Sequence, residues 1–196
     1  MLNAIASDMD RYLNMTGRKY CLSFMKKIHI LLFAYGLHAI MVYRFGSYLK
    51  SIHFKLFLLP VKALLFVVYY SLSFAVKKLY GIYISENAII GKGLYIGHFG
   101  GIIINKCKIG KNCSLQQHVK IGVKPYQSME NLSISIGDNI WIGAHSIIEN
   151  NIIIKDGATI SAGSLLKQGA KIKERCLVMG NPARTILRNY DNSKLL

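Results

Sequence analysis

The sequence predicts a mainly β protein: a parallel solenoid of about five three-sided coils, preceded by a basic α-helical segment. Three observations carry this reading. A six-residue aliphatic period runs from residue 84 almost to the C-terminus, small residues and glycines recur at fixed places within it, and an apolar stretch with helical spacing lies ahead of it. The chain has 196 residues and a mass of 22.0 kDa, which is one domain's worth with an appendage. Hydrophobic residues make up 52%, which excludes a disordered chain.

The period is read directly. Aliphatic residues stand at Ile84, Ile90, Ile96 and Ile102, then after one extra residue at Ile109, Leu115 and Ile121. They return at Ile136, Ile142, Ile148, Ile154, Ile160, Leu166, Ile172 and Val178. The following position is often glycine, as at Gly91, Gly97, Gly110, Gly122, Gly137 and Gly143. The fifth position is repeatedly small, as at Ala88, Gly100, Cys113, Ser146, Ala158, Ser164, Ala170 and Cys176. A helix would drift at a step of six. Three short strands joined by turns instead close a triangular coil, and stacked coils place neighbouring strands about 4.8 Å apart. Cys113 and Cys176 fall at the small position and Cys107 two residues before Ile109, so packing is preferred over nucleophilic catalysis for all three.

Ahead of the repeats the charge is one-sided. Residues 11–85 hold eleven Lys and Arg and no acid, against fourteen basic and seven acidic residues in 86–196. Apolar residues at Ile28, Leu31, Leu32, Tyr35, Ala39, Val42 and Tyr43 have helical spacing, and Ile30, Phe33, Leu37 and Met41 widen the stripe. A further apolar run, Leu56 to Val76, nearly reaches the length of a membrane span, but Pro60 and Lys62 interrupt it and lysines flank both sides. Two readings stand level: a helical bundle packed on the rest of the protein or on a copy of itself, and an anchor lying on an anionic membrane surface. Nucleic acid is not expected as a partner, since no aromatic-interleaved basic motif, zinc pattern or helix-turn-helix pattern is present. Residues 1–20 are polar, carry Asp8 and Asp10 and lack a secretory pattern, so the four cysteines are expected reduced in a cytoplasmic protein, at most peripheral to the inner membrane face. The boundary is expected between a helical region, 1–83, and a solenoid with a short tail, 84–196.

Four stretches resemble a known family: "IGKGLYIGHFGGIIIN", "IGKNCSLQQHVKIG", "IGDNIWIGAHSIIENNIII" and the terminal "GNPAR", all within Ile84–Arg184. They are similar to the left-handed β-helix acyltransferases, specifically the serine O-acetyltransferase-like branch, which includes O-acetyltransferases of capsule and exopolysaccharide synthesis. "LHAIMVYRFGSYL" (Leu37–Leu49) resembles that branch's helical region. The resemblance implies a left-handed parallel β-helix, a homotrimer with active sites between subunits, and acetyl-CoA as donor, with no metal. It assigns general-base catalysis to His98 of "YIGHFGG".

The chemistry such a site needs can be stated on its own. An alcohol attacks a thioester only when a base takes its proton, a role histidine fills near neutral pH. Backbone N–H groups at glycine-rich corners supply donors for the oxyanion. His118 and His145, each three residues after a repeat position, fall near the same corner of later coils. Turn geometry alone accounts for His145, whereas for His118 a supporting role beside His98 and a plain turn role stand even. Tyr83 either orients His98 or caps the last helix, the second being preferred. His29, His38 and His53 are read as ordinary helix residues. For acetyl-CoA the resemblance points to Gly143, Ala144, Ala162, Gly163, Gly180, Pro182, Ala183 and Arg184, with Lys167, Lys171 and Lys173 near the nucleotide phosphates.

Departures from the serine-specific members shape the expected acceptor. Those enzymes carry aspartates where this chain has Tyr83 and Gly97, and a second histidine on a loop that corresponds here to Val123–Ser135, which contains none. An amino acid needs charged partners for its two charged groups, so a neutral sugar hydroxyl of a capsule or exopolysaccharide precursor is the expected acceptor. Tyr126, Gln127, Glu130 and Asn131 are its candidate contacts. Serine O-acetylation is the alternative. A zinc hydratase resembling the γ-carbonic anhydrases ranks lower for want of a further histidine after His118, and a silent trimeric scaffold ranks lower because His98 and "GNPAR" are present.

Overall fold

A computed structural model describes residues 2–15, 23–52, 58–98, 100–122 and 133–196. Four helices come first: α1 (Leu2–Met15), α2 (Ser23–Phe33), α3 (Tyr35–Ser51) and α4 (Leu59–Tyr80). The single helical stripe read across residues 28–43 is two helices. Ala34 leaves helical geometry with φ −88° and ψ 82°, and the chain re-enters a helix at Tyr35. The two pieces do not share one buried stripe: Ile30, Leu37, Ala39, Ile40 and Tyr43 are buried, whereas Leu31, Leu32, Phe33 and Tyr35 around the break are exposed.

From Ile82 the described residues form fifteen short strands in three parallel stacks, plus one terminal strand. The first stack is β1 (Ile82–Ile84), β4 (Ile102–Ile104), β7 (Lys120–Ile121), β10 (Ile147–Ile148) and β13 (Leu165–Leu166). The second is β2 (Ile89–Ile90), β5 (Lys108–Ile109), β8 (Ile134–Ile136), β11 (Ile152–Ile154) and β14 (Lys171–Ile172). The third is β3 (Tyr95–Ile96), β6 (Ser114–Leu115), β9 (Trp141–Ile142), β12 (Thr159–Ile160) and β15 (Leu177–Gly180), closed by antiparallel β16 (Ala183–Leu187). The result is the expected five-coil solenoid. Its interior is a ladder of buried aliphatic side chains, with residues such as Ile104, Ile121, Ile142 and Ile160 fully shielded. Cys107, Cys113 and Cys176 are buried and free among them. Burial pushes the thiols of Cys107 and Cys113 up to about 12, which suits packing and not nucleophilic attack.

The repeat phase differs from the expected one at a single place. Ile104, not Ile102, stacks between Ile84 and Ile121, while Ile102 pairs with Ile82. From Ile96 to Ile104 the chain therefore takes eight residues instead of six, and from Ile104 to Ile109 only five. The run Ile102–Ile104 is aliphatic at every position, so either phase satisfies the pattern by eye. The surplus belongs to the corner that carries His98, where Gly100 and Gly101 adopt φ of +102° and +63°.

The helices close the open end of the first coil. That end exposes strand-edge N–H and C=O groups that stacking satisfies everywhere else. The Tyr12 hydroxyl donates to the Ile96 carbonyl and accepts from the Ile96 N–H, both at 3.0 Å. Tyr43 donates to Ala88 at 2.7 Å. Arg44 donates to the carbonyls of Ile90 and Gly91 and to the carboxylate of Asp8. Asp8, fully buried, accepts from the N–H groups of Gly93 at 2.7 Å and Leu94 at 3.0 Å. Desolvation raises the Asp8 carboxyl, while Arg44 and the two N–H groups pull it the other way. Gly36 lets α3 approach: a β-carbon there would collide with the Tyr12 hydroxyl and stand 2.5 Å from the Ile96 carbonyl oxygen.

Asp8→Ala leaves Arg44 buried without its counter-charge and two edge N–H groups without an acceptor. We expect a loss of about 3 kcal/mol of unfolding free energy, read from urea denaturation, the size typical of breaking a buried pair from one side. A loss under about 0.5 kcal/mol, the scale of ordinary surface substitutions, would show that the cap does not hold the solenoid end.

Candidate active site

One edge of the solenoid collects most of the residues singled out in the sequence. It is the corner that follows the third strand of each coil. Coil by coil it carries Gly97–His98, then Gln116–His118, Gly143–His145, Ser161–Gly163 and Met179–Gly180. Four strand spacings separate first from last, about 19 Å. The expected clustering of the three histidines on one edge holds.

His98 is exposed and lines a cavity of about 270 Å³ between the first coil and the helices. Tyr12, the α2–α3 junction from Phe33 to Gly36, and Tyr95 form its walls, and His29 stands at it from α2. The walls are largely aromatic, and none of the described residues lining them is acidic. The Tyr12 and Tyr95 rings pack at 4.7 Å, and His29 and Phe33 at 4.8 Å. Sequence reasoning missed the helical half of this cavity. The available signals were Gly36 inside an otherwise helical pattern and the doubled glycine after His98.

The His98 corner is tied to its neighbours through backbone. Gly100 N–H donates to the Tyr80 carbonyl at 2.9 Å, and Ile102 N–H donates to the Gly81 carbonyl at 3.0 Å. The Gly100 carbonyl in turn accepts from His118 N–H at 2.9 Å. His118 and His145 both take a left-handed backbone, with φ of +58° and +60°, and their rings stack at 4.6 Å. The His118 imidazole lies against the glycines of the His98 corner: a β-carbon on Gly101 would collide with its Nδ1. His118 therefore lies against the two glycines that follow the His98 corner.

Tyr83 is elsewhere. Its ring lies under the Lys77 ammonium of α4, 5.3 Å from ring centre to nitrogen, and it is not among the residues lining the His98 cavity. Tyr83 thus sits between the end of the last helix and the first coil. His38 bridges helices, with its ring nitrogens at the Tyr80 hydroxyl and the Leu31 carbonyl. His53, Phe99 and the acceptor candidates Tyr126, Gln127, Glu130 and Asn131 lie outside the described residues.

The candidate acetyl-CoA residues divide in two. Gly143, Ala144, Ala162, Gly163 and Gly180 share the histidine edge, and Gly163 N–H donates to the Ala144 carbonyl at 2.8 Å. Gly143 has a packing reason of its own, since a β-carbon there would strike the Ala162 backbone of the next coil. Gly163, at φ +68°, meets nothing within 4 Å and opens to solvent. "GNPAR" is the tight turn between β15 and β16, where Gly180 pairs with Ala183, Met179 with Arg184, and the Asn181–Pro182 bond is cis. Lys167, by contrast, follows β13 at a different corner, and Lys171 and Lys173 lie on and after β14. Within one protomer these lysines do not join the histidine edge.

Comparison with known proteins bears on this edge. The profile described as "Bacterial transferase hexapeptide (six repeats)" matches residues 133–168. Residues 133–168 thus carry the repeat of that profile, and the solenoid as a whole is a parallel β-helix. A serine acetyltransferase of Synechococcus elongatus is 31% identical over 119 residues, covering 60% of this chain and 48% of that protein. Serine acetyltransferase 2 of Arabidopsis thaliana is 30% identical over 167 residues, covering 85% of this chain and 46% of that protein. The chain thus spans about half the length of these curated relatives. The crystal structure of a Neisseria gonorrhoeae serine acetyltransferase, 25% identical, superposes with a TM-score of 0.74 over 96% of this hexapeptide-repeat chain and 67% of its own. The relatives named here are serine acetyltransferases, and no capsule or exopolysaccharide enzyme is among them.

Gly101→Ala should disturb the His98 corner twice, through its positive φ and through the collision with His118. We expect a destabilisation of about 1–2 kcal/mol from the left-handed backbone alone, and a larger one when the ring cannot move aside. In a double-mutant cycle, adding His118→Ala should recover the steric part and leave the backbone part. Strict additivity in thermal or urea unfolding would place the His118 ring away from Gly101.

Proposed function

We propose that this hexapeptide-repeat protein is an acetyl-CoA-dependent O-acetyltransferase with His98 as the general base, and that L-serine is its acceptor. The observation that carries the reaction class is the single solenoid edge. It sets an exposed histidine in an aromatic-walled cavity at one end and a run of small residues, Ala144, Ala162, Gly163 and Gly180, leading to "GNPAR" at the other. The serine acetyltransferases among its relatives support serine over the sugar acceptor read from the sequence.

The geometry gives each part a task. An acceptor in the cavity presents its hydroxyl to the His98 imidazole, which takes the proton as the oxygen attacks the thioester carbonyl. Backbone N–H groups at this corner are the candidate donors to the resulting oxyanion. Collapse of that intermediate breaks the C–S bond, and the proton held by His98 returns to the departing thiolate. The thioester arm follows the histidine edge, where small side chains let it approach the backbone. The Tyr12 and Tyr95 rings exclude water from the inner wall. A homotrimer, with a second solenoid closing the groove, is part of this proposal, as is a cytoplasmic setting, which the free Cys107, Cys113 and Cys176 fit.

A second reading keeps a sugar hydroxyl as acceptor. One observation favours it: among the described residues none lining the His98 cavity is acidic, so none of these answers an amino acid's ammonium group.

Thiol release from acetyl-CoA, with L-serine and with a panel of oligosaccharides in parallel, tests both. We expect serine-dependent release that falls by about 10²–10⁴ in His98→Ala, the range general-base catalysis supplies. Release only with a glycan would move the acceptor to the second reading. Absence of release with every acceptor, or full activity in His98→Ala, would overturn the proposed chemistry. Ala162→Trp should raise the KM for acetyl-CoA at least about tenfold, a cost near 1.4 kcal/mol of binding, while leaving thermal stability unchanged because Ala162 is exposed. An unchanged KM would take the donor off this edge.

A further inference from the structure

Helix α4 has an apolar face on the side turned away from the protein. Tyr69, Val76 and Tyr80 face α3 and the first coil, where Tyr69 is buried and lies across Gly46. The outward side presents Leu64, Val67, Phe74 and Leu79 at 64%, 61%, 62% and 73% exposure, with Val61, Val68, Tyr70 and Leu72 also open. Leu64, Val67, Ser71, Phe74 and Lys78 follow each other at helical spacing, so the outward stripe is mostly apolar. The helix has 22 residues, about 33 Å, and is long and apolar enough to cross a bilayer by length and composition. Its inner side is packed along α3 and β1, which rules out lipid on all sides of it.

The charges carried by α4 itself have one sign. Lys62 stands near one end of α4 and Lys77 and Lys78 at the other, and the helix contains no acid. Their ammonium groups lie over the rings of Phe66, Tyr83 and Phe74 at 6.0, 5.3 and 5.6 Å, with the aliphatic stems along apolar surface. Lys50 is the next base, and it pairs with Glu86 at 2.9 Å. Glu86, which also accepts from the Tyr70 hydroxyl at 3.2 Å, is the acid at this surface among the described residues. A second copy seated face to face would bring lysines against lysines, whereas an anionic headgroup layer answers all of them.

We propose that α4 seats this protein on an anionic lipid surface, lying in the interface plane with Leu64, Val67 and Phe74 among the acyl chains and Lys62, Lys77 and Lys78 at headgroup level. The proposal goes beyond acetyl transfer and does not depend on it. Flotation of the full chain tests it, using vesicles of phosphatidylcholine alone and of phosphatidylcholine with phosphatidylglycerol. We expect binding to the mixed vesicles at low salt, at least about tenfold weaker on phosphatidylcholine alone and weakened by salt. Leu64→Glu/Phe74→Glu should lose flotation while keeping the wild-type melting curve, since both positions are exposed. Val67→Trp should shift its emission to the blue and be quenched by lipids brominated near the headgroup. Three results would overturn the proposal. One is no flotation at low salt, and another is flotation that the double substitution leaves intact. The third is a drop in sedimenting mass on double substitution without any flotation by the parent, which would make the face an interface between copies. None of these readouts uses acetyl transfer, so their failure is separate from failure of the proposed reaction.

Discussion

A parallel solenoid satisfies its backbone by stacking, so every coil depends on the one beside it and the first coil has nothing on one side. That unpaired edge is the constraint around which the rest of this molecule is arranged. The helices meet it with side chains: Tyr12 takes both backbone groups of Ile96, Tyr43 the carbonyl of Ala88, Arg44 those of Ile90 and Gly91, and Asp8 the N–H groups of Gly93 and Leu94. The partners run through residues 88–96 and stop two residues before His98. Capping the edge therefore also fixes the strand from which the candidate base projects. The cavity beside His98 is the space left where α1 and the α2–α3 junction meet the first coil.

The far end has the same problem and a different solution. After β15 the chain reverses through Asn181–Pro182, and β16 lies antiparallel on the last strand of the third stack. The tail then returns over the coils. Tyr190 N–H donates to the Arg175 carbonyl at 2.8 Å, and the buried Asn192 amide donates to the Asn139 carbonyl at 3.0 Å. Hairpin and tail leave fewer open edge groups for another chain to pair with. The residues that resemble the donor site, Gly180 to Arg184, thus also form the turn that ends the solenoid.

The solenoid was legible because its signal is local and repeated: Ile136 to Val178 keeps a step of six without error, and the register confirms it coil on coil. The same reading misplaced the phase at Ile102, because in an all-isoleucine strand the pattern cannot distinguish the residue that stacks from the one two places before it. The structure moves the irregularity from the Ile102–Ile109 step to the His98 corner, where the surplus residues include Gly100 and Gly101. The helical half of the cavity was not legible. Asp8 reaches Gly93 across 85 residues and Tyr12 reaches Ile96 across 84, and such pairings leave no periodicity for a sequence window to catch. The break at Ala34 was hidden because apolar residues continue through it at helical spacing, although Leu31, Leu32, Phe33 and Tyr35 beside it are exposed.

Helix α4 connects the two ends of the functional argument. It terminates at Gly81, in left-handed geometry with its N–H on the Lys77 carbonyl, and the next residue begins the first strand of the solenoid. The carbonyls of Tyr80 and Gly81, which a helix C-terminus leaves without intrahelical donors, accept from Gly100 and Ile102 across the His98 corner. The widened corner is thus pinned at its far side by the end of α4, just as its near side is pinned by Tyr12. A force or a surface that orients α4 must orient this corner with it, because the link is backbone to backbone and has no rotatable side chain within it. The candidate base and the outward apolar face of α4 therefore belong to one rigid junction.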